Sequence, residues 1–256
     1  MVSESVLFSV EGHVGTITLN RPERRNALNF EMRERLAQGL EDFAANAEVR
    51  IVVLEGAPPS FCSGVDLSEK PASQGHVLAD ALVSVSAPFA TFSKPLIAAV
   101  NGAAVGGGLE IALACDFIIA STSAKFLLPE VRIGSIPGGG GTQRLVRAIP
   151  RAMAARMLYT GEAMSAQSAL DYGLVTELVE PDVLHARVLE LAHEIAQNAP
   201  LSLAAIKQCL QVATNSTLDV GLAVERGLWG QLTTSEDRAE GRTAFRERRP
   251  PQFKGK

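Results

Sequence analysis

The chain has 256 residues, enough for one large domain or one domain with an appended subdomain, and 28 acids against 24 bases give a net charge of −4. With 46% hydrophobic and 20% charged residues it is no disordered chain, and its acidic balance is wrong for general nucleic-acid binding, which needs surplus Lys and Arg. Cys62, Cys115 and Cys209 form no CxxC pair and the four histidines include no HExxH, so a disulfide framework, a zinc site and metal catalysis are all unexpected.

The opening, MVSESVLFSV, lacks a basic segment followed by an apolar run. Neither a signal peptide nor a transit peptide is expected, and a reducing cytoplasm is the expected setting. Val6–Glu11 and Val14–Leu19 read as strands around Gly12-His13. Asn29 is placed to cap a helix from Phe30 to about Ala45, in which Met32, Leu36, Leu40 and Phe43 share a face. Ile51–Glu55 is β-branched and reads as a buried strand, followed by a loop over Gly56–Ser68. A helix is expected over about His76–Phe92, kinked or broken at Pro88. Leu96–Val100 reads as a strand, Asn101–Gly108 as a glycine-rich turn, Leu109–Ala114 as the start of a short apolar helix and Phe117–Ala120 as another strand. The apolar stretch Leu96 to Ala120 holds Glu110, Asp116 and Asn101, too polar for a membrane span of ~20 residues with few or no charges. The alternation predicts an α/β fold with mostly parallel strands. Beyond residue 140 helical patterns dominate, Leu174–Val179 alone reads as a strand, and past Ser202 only helices are expected.

Chemistry concentrates in a few segments. In Asn101-Gly-Ala-Ala-Val-Gly-Gly-Gly-Leu-Glu110 three glycines separate a buried strand from a helix. The first N–H groups of a helix lack internal partners, so the amide of Gly107 could bind a carbonyl oxygen that becomes negative; a plain packing turn is the competing reading. GxGxxG is absent here and at Gly138–Gly141, and no Gly-Lys-Ser/Thr follows, which excludes the two common phosphate-binding uses of such turns. Glu110 sits among Leu109, Ile111, Ala112 and Leu113, where a carboxylate costs free energy unless it is paired or protonated, as suits a general acid or base. Glu130, after Pro129, reads by itself as a loop carboxylate. Ser135-Ile-Pro-Gly-Gly-Gly-Gly-Thr142 reads as a mobile surface turn, with Thr142 a candidate cap for the helix that follows. Pro59-Ser-Phe-Cys-Ser-Gly-Val-Asp-Leu67 offers backbone amides; Cys62 and Ser63 lack the context of nucleophiles, with no GxSxG and no electropositive neighbour.

Read in order, these segments resemble the crotonase (enoyl-CoA hydratase/isomerase) superfamily. The matching blocks are Asn20-Arg-Pro-Glu-Arg-Arg-Asn-Ala-Leu28, Phe61-Cys-Ser-Gly-Val-Asp-Leu67, Asn101 to Glu110, Ala114-Cys-Asp116, Pro129-Glu130, Gly134-Ser-Ile-Pro-Gly138 and Gly141-Thr-Gln-Arg-Leu145. Thr160-Gly-Glu-Ala-Met-Ser-Ala166, Tyr172-Gly-Leu-Val175, Glu240-Gly-Arg-Thr-Ala-Phe245 and Arg248-Arg-Pro-Pro-Gln-Phe253 extend the resemblance over nearly the whole chain.

The resemblance implies a crotonase-like spiral of β/β/α turns over residues 1–200 and a helical oligomerisation region over 201–256, assembled as a homotrimer or a dimer of trimers. It implies an oxyanion hole at the amides of Val65 and Gly107, and catalytic carboxylates at Glu110, to activate water, and Glu130, to protonate C2. It implies coenzyme A contacts at Arg24, Ala27, Ser63, Asp66 and Leu67, with Gly138 at the acyl end and the basic tail, Lys254 and Lys256, near the CoA phosphates. Ser68 departs from the family, which often has Lys there; the nearest is Lys70. The implied activity is hydration of a trans-2-enoyl-CoA to a 3-hydroxyacyl-CoA, with no metal and no cofactor beyond the CoA of the substrate. Alternatives are a Δ3,Δ2-enoyl-CoA isomerase and a non-catalytic acyl-CoA-binding protein. No nucleic-acid or membrane partner is expected.

Overall fold

The computed structural model describes residues 4–69 and 84–256. Strands β1 (Val6–Glu11) and β2 (Val14–Leu19) form an antiparallel pair. Helix α1 (Phe30–Ala45) then carries the chain to β3 (Ile51–Gly56), parallel to β2. The cap at Asn29 is as expected, its side chain accepting from the Met32 amide at 2.9 Å, and Met32, Leu36, Leu40 and Phe43 are all buried. A short helix α2 (Ala87–Thr91) precedes β4 (Leu96–Val100), which is parallel to β3. Pro88 lies in the first turn of α2, where its missing N–H has no intrahelical role, so it starts a helix instead of kinking one. The expected beginning of that helix, residues 76–83, and Lys70 fall outside the described residues.

From β4 the chain steps into a second layer. Strand β5 (Ala103–Val105) is followed at once by α3 (Gly107–Ala112), then β6 (Phe117–Ser121) returns to the first sheet and β7 (Lys125–Leu127) to the second. Beyond a 3-10 turn at Glu130–Ile133 come α4 (Gly141–Ala148), α5 (Arg151–Thr160), β8 (Met164–Ser165), α6 (Ala166–Asp171), β9 (Glu177–Val179) and α7 (Leu184–Ala196). The large sheet has the order β1-β2-β3-β4-β6-β9, and the small one β5-β7-β8. Parallel bridges Leu28↔Val65 and Cys62↔Ala104 prolong the small layer, so successive turns of chain stack one on the next. This is the β/β/α spiral. β5 hides within the expected glycine-rich turn and β8 within a helical stretch, because two or three residues are too few to show a period.

Alternation along the strands explains why they read as unbroken apolar runs. Val52, Leu54, Ala98, Val100 and Ala120 pack on the side of α1, while Ile51, Val53, Ile97, Ala99 and Ile119 pack against Leu184, Val188, Ala192 and Ala196 of α7. Both faces are covered, as in parallel sheets generally.

Three helices complete the chain: α8 (Pro200–Asn215), α9 (Leu218–Leu232) and α10 (Glu236–Glu247). One buried cation fastens α8 to the spiral. Lys207, 4% exposed, donates to the Lys94 carbonyl at 2.8 Å and to Asp116 Oδ2 at 3.0 Å, and the same Asp116 oxygen accepts from the first amide of β4, Leu96, at 2.7 Å. The tail is pinned as well. Buried Asp237 accepts from the amides of Lys254 at 2.6 Å and Gly255 at 2.9 Å. No helix among the described residues is long and apolar enough to cross a membrane.

Candidate active site

The site begins with the segment between β2 and α1. Asn26 is buried with a left-handed φ of 56°, and its amide nitrogen donates to the carbonyls of Ala57 at 2.8 Å and Ser60 at 2.7 Å. Backbone bonds from Ser63 to Arg25 at 3.0 Å, from Leu28 to Gly64 at 2.8 Å and from Asp66 to Leu28 at 3.1 Å extend the stitching through residue 66. Gly64 has φ 93°, and a Cβ there would meet the Val105 carbonyl oxygen at 2.8 Å. Only glycine permits so close an approach, which sets the Val65 amide beside the start of α3: a Cβ at Gly107 would lie 3.6 Å from Val65 N. Gly107 is the first residue of α3, so its N–H lacks an intrahelical partner. Neither the Val65 nor the Gly107 amide donates to another group among the described residues.

Glu110, one turn along α3, is 3% exposed. Its burial is offset by two charge-assisted bonds to Oε1, from the Gly139 amide at 2.6 Å and the Gly141 amide at 2.8 Å. Gly141 is the first residue of α4, so this carboxylate serves the helix N-terminus and benefits from its dipole. The cap position of α4 is Gly140, with φ 98°, and Thr142 lies inside the helix; the expected Thr142 cap is replaced by Glu110 acting from another element. The turn over residues 135–141 is correspondingly a clamp on Glu110, not a free loop.

Glu130 opens the 3-10 turn and is half-buried. Its Oε2 is buried without a partner among the described residues, and a Cβ at Gly106 would stand 2.9 Å from its Oε1. Burial pushes this carboxyl above the usual carboxylate range, and the charge of Glu110 adds to the effect.

Both glutamates and both free amides line one cavity of about 550 Å³. Ser63, Leu67 and Gly138 line it too, with Val85, Ile133 and Ile136 as apolar wall and Arg33 and Arg132 as cations. Arg24, Ala27 and Asp66 are not in the lining. The Arg24 carbonyl accepts from Ser63 Oγ at 3.3 Å, one residue back from the wall. Asp66 accepts from Ser68 Oγ at 2.6 Å and pairs with Arg21 at 3.2 Å; the Ser68 bond, before the Arg21 contact, holds its carboxyl below the usual range. Lys254 and Lys256 are exposed beside α10 and do not reach the cavity of their own chain. Burial pushes the Cys62 thiol up to about 12, which agrees with reading it as structural. Sequence reasoning passed over Asn26, Ser86 and Arg144, and saw no partner for Glu110 in Gly139 and Gly141. The run of four glycines before a helix was the available signal for the last two.

Two unpaired amides and two carboxylates lining one cavity can hold a carbonyl oxygen and move protons beside it. Comparison with known proteins agrees. The enoyl-CoA hydratase/isomerase family model matches residues 9–256. The chain is 46% identical to (E)-benzylidenesuccinyl-CoA hydratase of Thauera aromatica, covering 98% of this chain and 99% of that one. It is 40% identical to 2,3-dehydroadipyl-CoA hydratase of Escherichia coli K12, again over 98% and 99%. The crystal structure of enoyl-CoA hydratase from Bacillus anthracis superposes with a TM-score of 0.95 at 36% identity, over 99% of this chain and all of that one. The chain belongs to the enoyl-CoA hydratase/isomerase family, with the crotonase fold.

Proposed function

We propose that the protein is a hydro-lyase that adds water across the C2=C3 bond of a trans-2-enoyl-CoA to give a 3-hydroxyacyl-CoA. The observation that carries this reading is the convergence of Glu110, Glu130 and the free amides of Val65 and Gly107 on one cavity. The thioester oxygen accepts from both amides. Glu110 takes a proton from a water molecule whose oxygen bonds to C3. The electron pair of the double bond moves through C2 onto the thioester oxygen, where the preorganised donors stabilise the enolate; each is worth about 3 kcal/mol in comparable sites. Glu130, whose burial favours its protonated form, delivers a proton to C2 and the carbonyl re-forms. Proton transfer from Glu110 back to Glu130 through water resets the pair.

In this reading CoA runs along Arg24, Ala27, Ser63, Asp66 and Leu67. Gly138 faces the acyl end, where a Cβ would meet nothing within 4 Å. The steps use the protein's own groups, the CoA thioester and water. The free Cys62, Cys115 and Cys209 suit a reducing cytoplasm. The two curated relatives are named for CoA thioesters of dicarboxylic acids, and Arg33 and Arg132 bring guanidinium groups to the cavity. The test is therefore a panel of straight-chain, aryl and carboxylated 2-enoyl-CoA thioesters, with one 3-enoyl-CoA, and mass detection of products. A gain of one water by at least one 2-enoyl ester is expected. Isomerisation of the 3-enoyl ester alone, or binding without any product, overturns the reading.

Residues 201–256 are the proposed oligomerisation region. Helix α9 buries none of its residues, and Leu218, Trp229 and Phe245 are 76%, 62% and 85% exposed. Trp229 and Phe245 line an open groove of about 1050 Å³ that contains no pair of acids facing free amides. So much solvent-exposed apolar surface supports an interface there. Sedimentation at micromolar concentration is expected to give three or six times the chain mass of 27.1 kDa, and Trp229→Glu to dissociate the assembly. A monomer at all concentrations overturns this assignment.

A further inference from the structure

If Glu110 acts as the base, its carboxylate must be held by a stretch of four consecutive glycines, the least rigid backbone a protein has. That stretch is fastened from behind. Gly139 donates its N–H to Glu110 Oε1 at 2.6 Å, while its carbonyl accepts from Arg144 Nη1 at 2.8 Å and from the hydroxyl of Ser86. Arg144 Nη1 also donates to Ser86 Oγ at 2.9 Å. Ser86 is fully buried. Arg144 lies one turn into α4, the helix whose first amide, Gly141, supplies the second bond to Glu110 Oε1. A Cβ at Gly139 would stand 2.5 Å from Glu110 Oε2, so the contact with the carboxylate is as close as backbone allows.

We propose that Arg144, fixed by Ser86, is the positioning residue for Glu110: it anchors Gly139 so that two amides converge on Oε1 and Oε2 is left for water, and it sets a positive charge behind the base. Neither partner of Gly139 lines the cavity, and both donate to a carbonyl, so neither caps the first amides of α4. Burial pulls the Arg144 guanidinium down from its ordinary value and the charge of Glu110 pulls it back up, so the two charges are coupled without touching. Among the described residues, the charged groups lining the cavity besides Glu110 are Glu130 and Arg132 from the 3-10 turn and Arg33 from α1. Arg144 bonds to the carbonyl of Gly139, whose amide in turn bonds to Glu110.

This inference rests on the hydratase reading for its kinetic consequences. Arg144→Gln, Arg144→Lys and Ser86→Ala are compared with wild type in kcat and KM, in the pH dependence of kcat/KM, and in the pH-difference infrared signal of the Glu110 carboxylate, identified by its loss in Glu110→Gln. Arg144→Gln is expected to lower kcat roughly 10- to 100-fold with KM nearly unchanged, the effect of a misplaced catalytic group. Without the cation, the acidic limb and the infrared midpoint move to higher pH. Arg144→Lys keeps the midpoint near wild type but recovers only part of kcat, because it has the charge without the planar fork. Ser86→Ala lowers kcat and leaves the midpoint in place. Folded variants with wild-type kcat and an unmoved midpoint overturn the proposal. Should Arg144→Gln fail to fold, wild-type kcat in Ser86→Ala does so. The infrared midpoint is read without turnover, so it decides the role of Arg144 even if no enoyl-CoA is hydrated, a result that would sink the hydratase reading by itself.

Discussion

Glu110→Gln is expected to lower kcat by roughly 10²- to 10⁴-fold, the usual scale for loss of a general base, with little change in KM. The substitution is close to isosteric. A glutamine Oε1 still accepts from the Gly139 and Gly141 amides, so the clamp and the start of α4 persist. What is lost is the capacity of the second atom to take a proton from water, since Nε2 is a donor only. Thermal melting should therefore stay near wild type while turnover collapses. Stopped-flow loss of the conjugated-thioester absorbance measures the first, and calorimetry the second. Wild-type turnover in a folded Glu110→Gln protein would remove Glu110 from the mechanism.

Glu130→Gln is expected to cost turnover on a similar scale but to change stability in a different way. The carboxyl of Glu130 is half-buried, with Oε2 unpartnered, and burial holds its titration above that of the unfolded chain. The folded protein thus binds this proton more tightly than the unfolded one. Its contribution to stability is fully present below the unfolded value and is lost as pH rises through the folded value. Glutamine does not ionise. The variant should melt above wild type at pH 8, and the gap should narrow toward pH 4. The residual hydration rate should also lack the alkaline limb that wild type shows when its acid loses a proton. A Glu130→Gln protein that turns over normally, or that melts lower at pH 8 than at pH 4 by the same margin as wild type, contradicts the role given to this residue.

Much of the fold was legible because its signals are local. Asn29 announced α1, and the β-branched runs at Ile51 and Leu96 announced strands covered on both faces. The short second layer was not legible: Ala103–Val105 and Met164–Ser165 pair with residues distant in the chain, and nothing in so few residues reveals the partner. Glu110 and the Gly107 amide could be read from their own segment, Glu130 and the Val65 amide came through resemblance, and the convergence of the four needed coordinates. The glycines at 139 and 141 looked like slack because a sequence shows what a glycine lacks, not what sits where its Cβ would be. Thr142 was mistaken for a cap for the same reason, since the group that fills that role comes from a helix 31 residues earlier.

Lys207 binds the last quarter of the chain to the foundation of the strand that leads to Gly107. Asp116 is made before its counter-ion: roughly ninety further residues must be synthesised before the ammonium arrives to neutralise it. Lys207 is the member of this pair that is taken out of water, so a chimera that exchanges the terminal helices with a relative must carry this lysine or lose the link between its C-terminal helices and the start of β4.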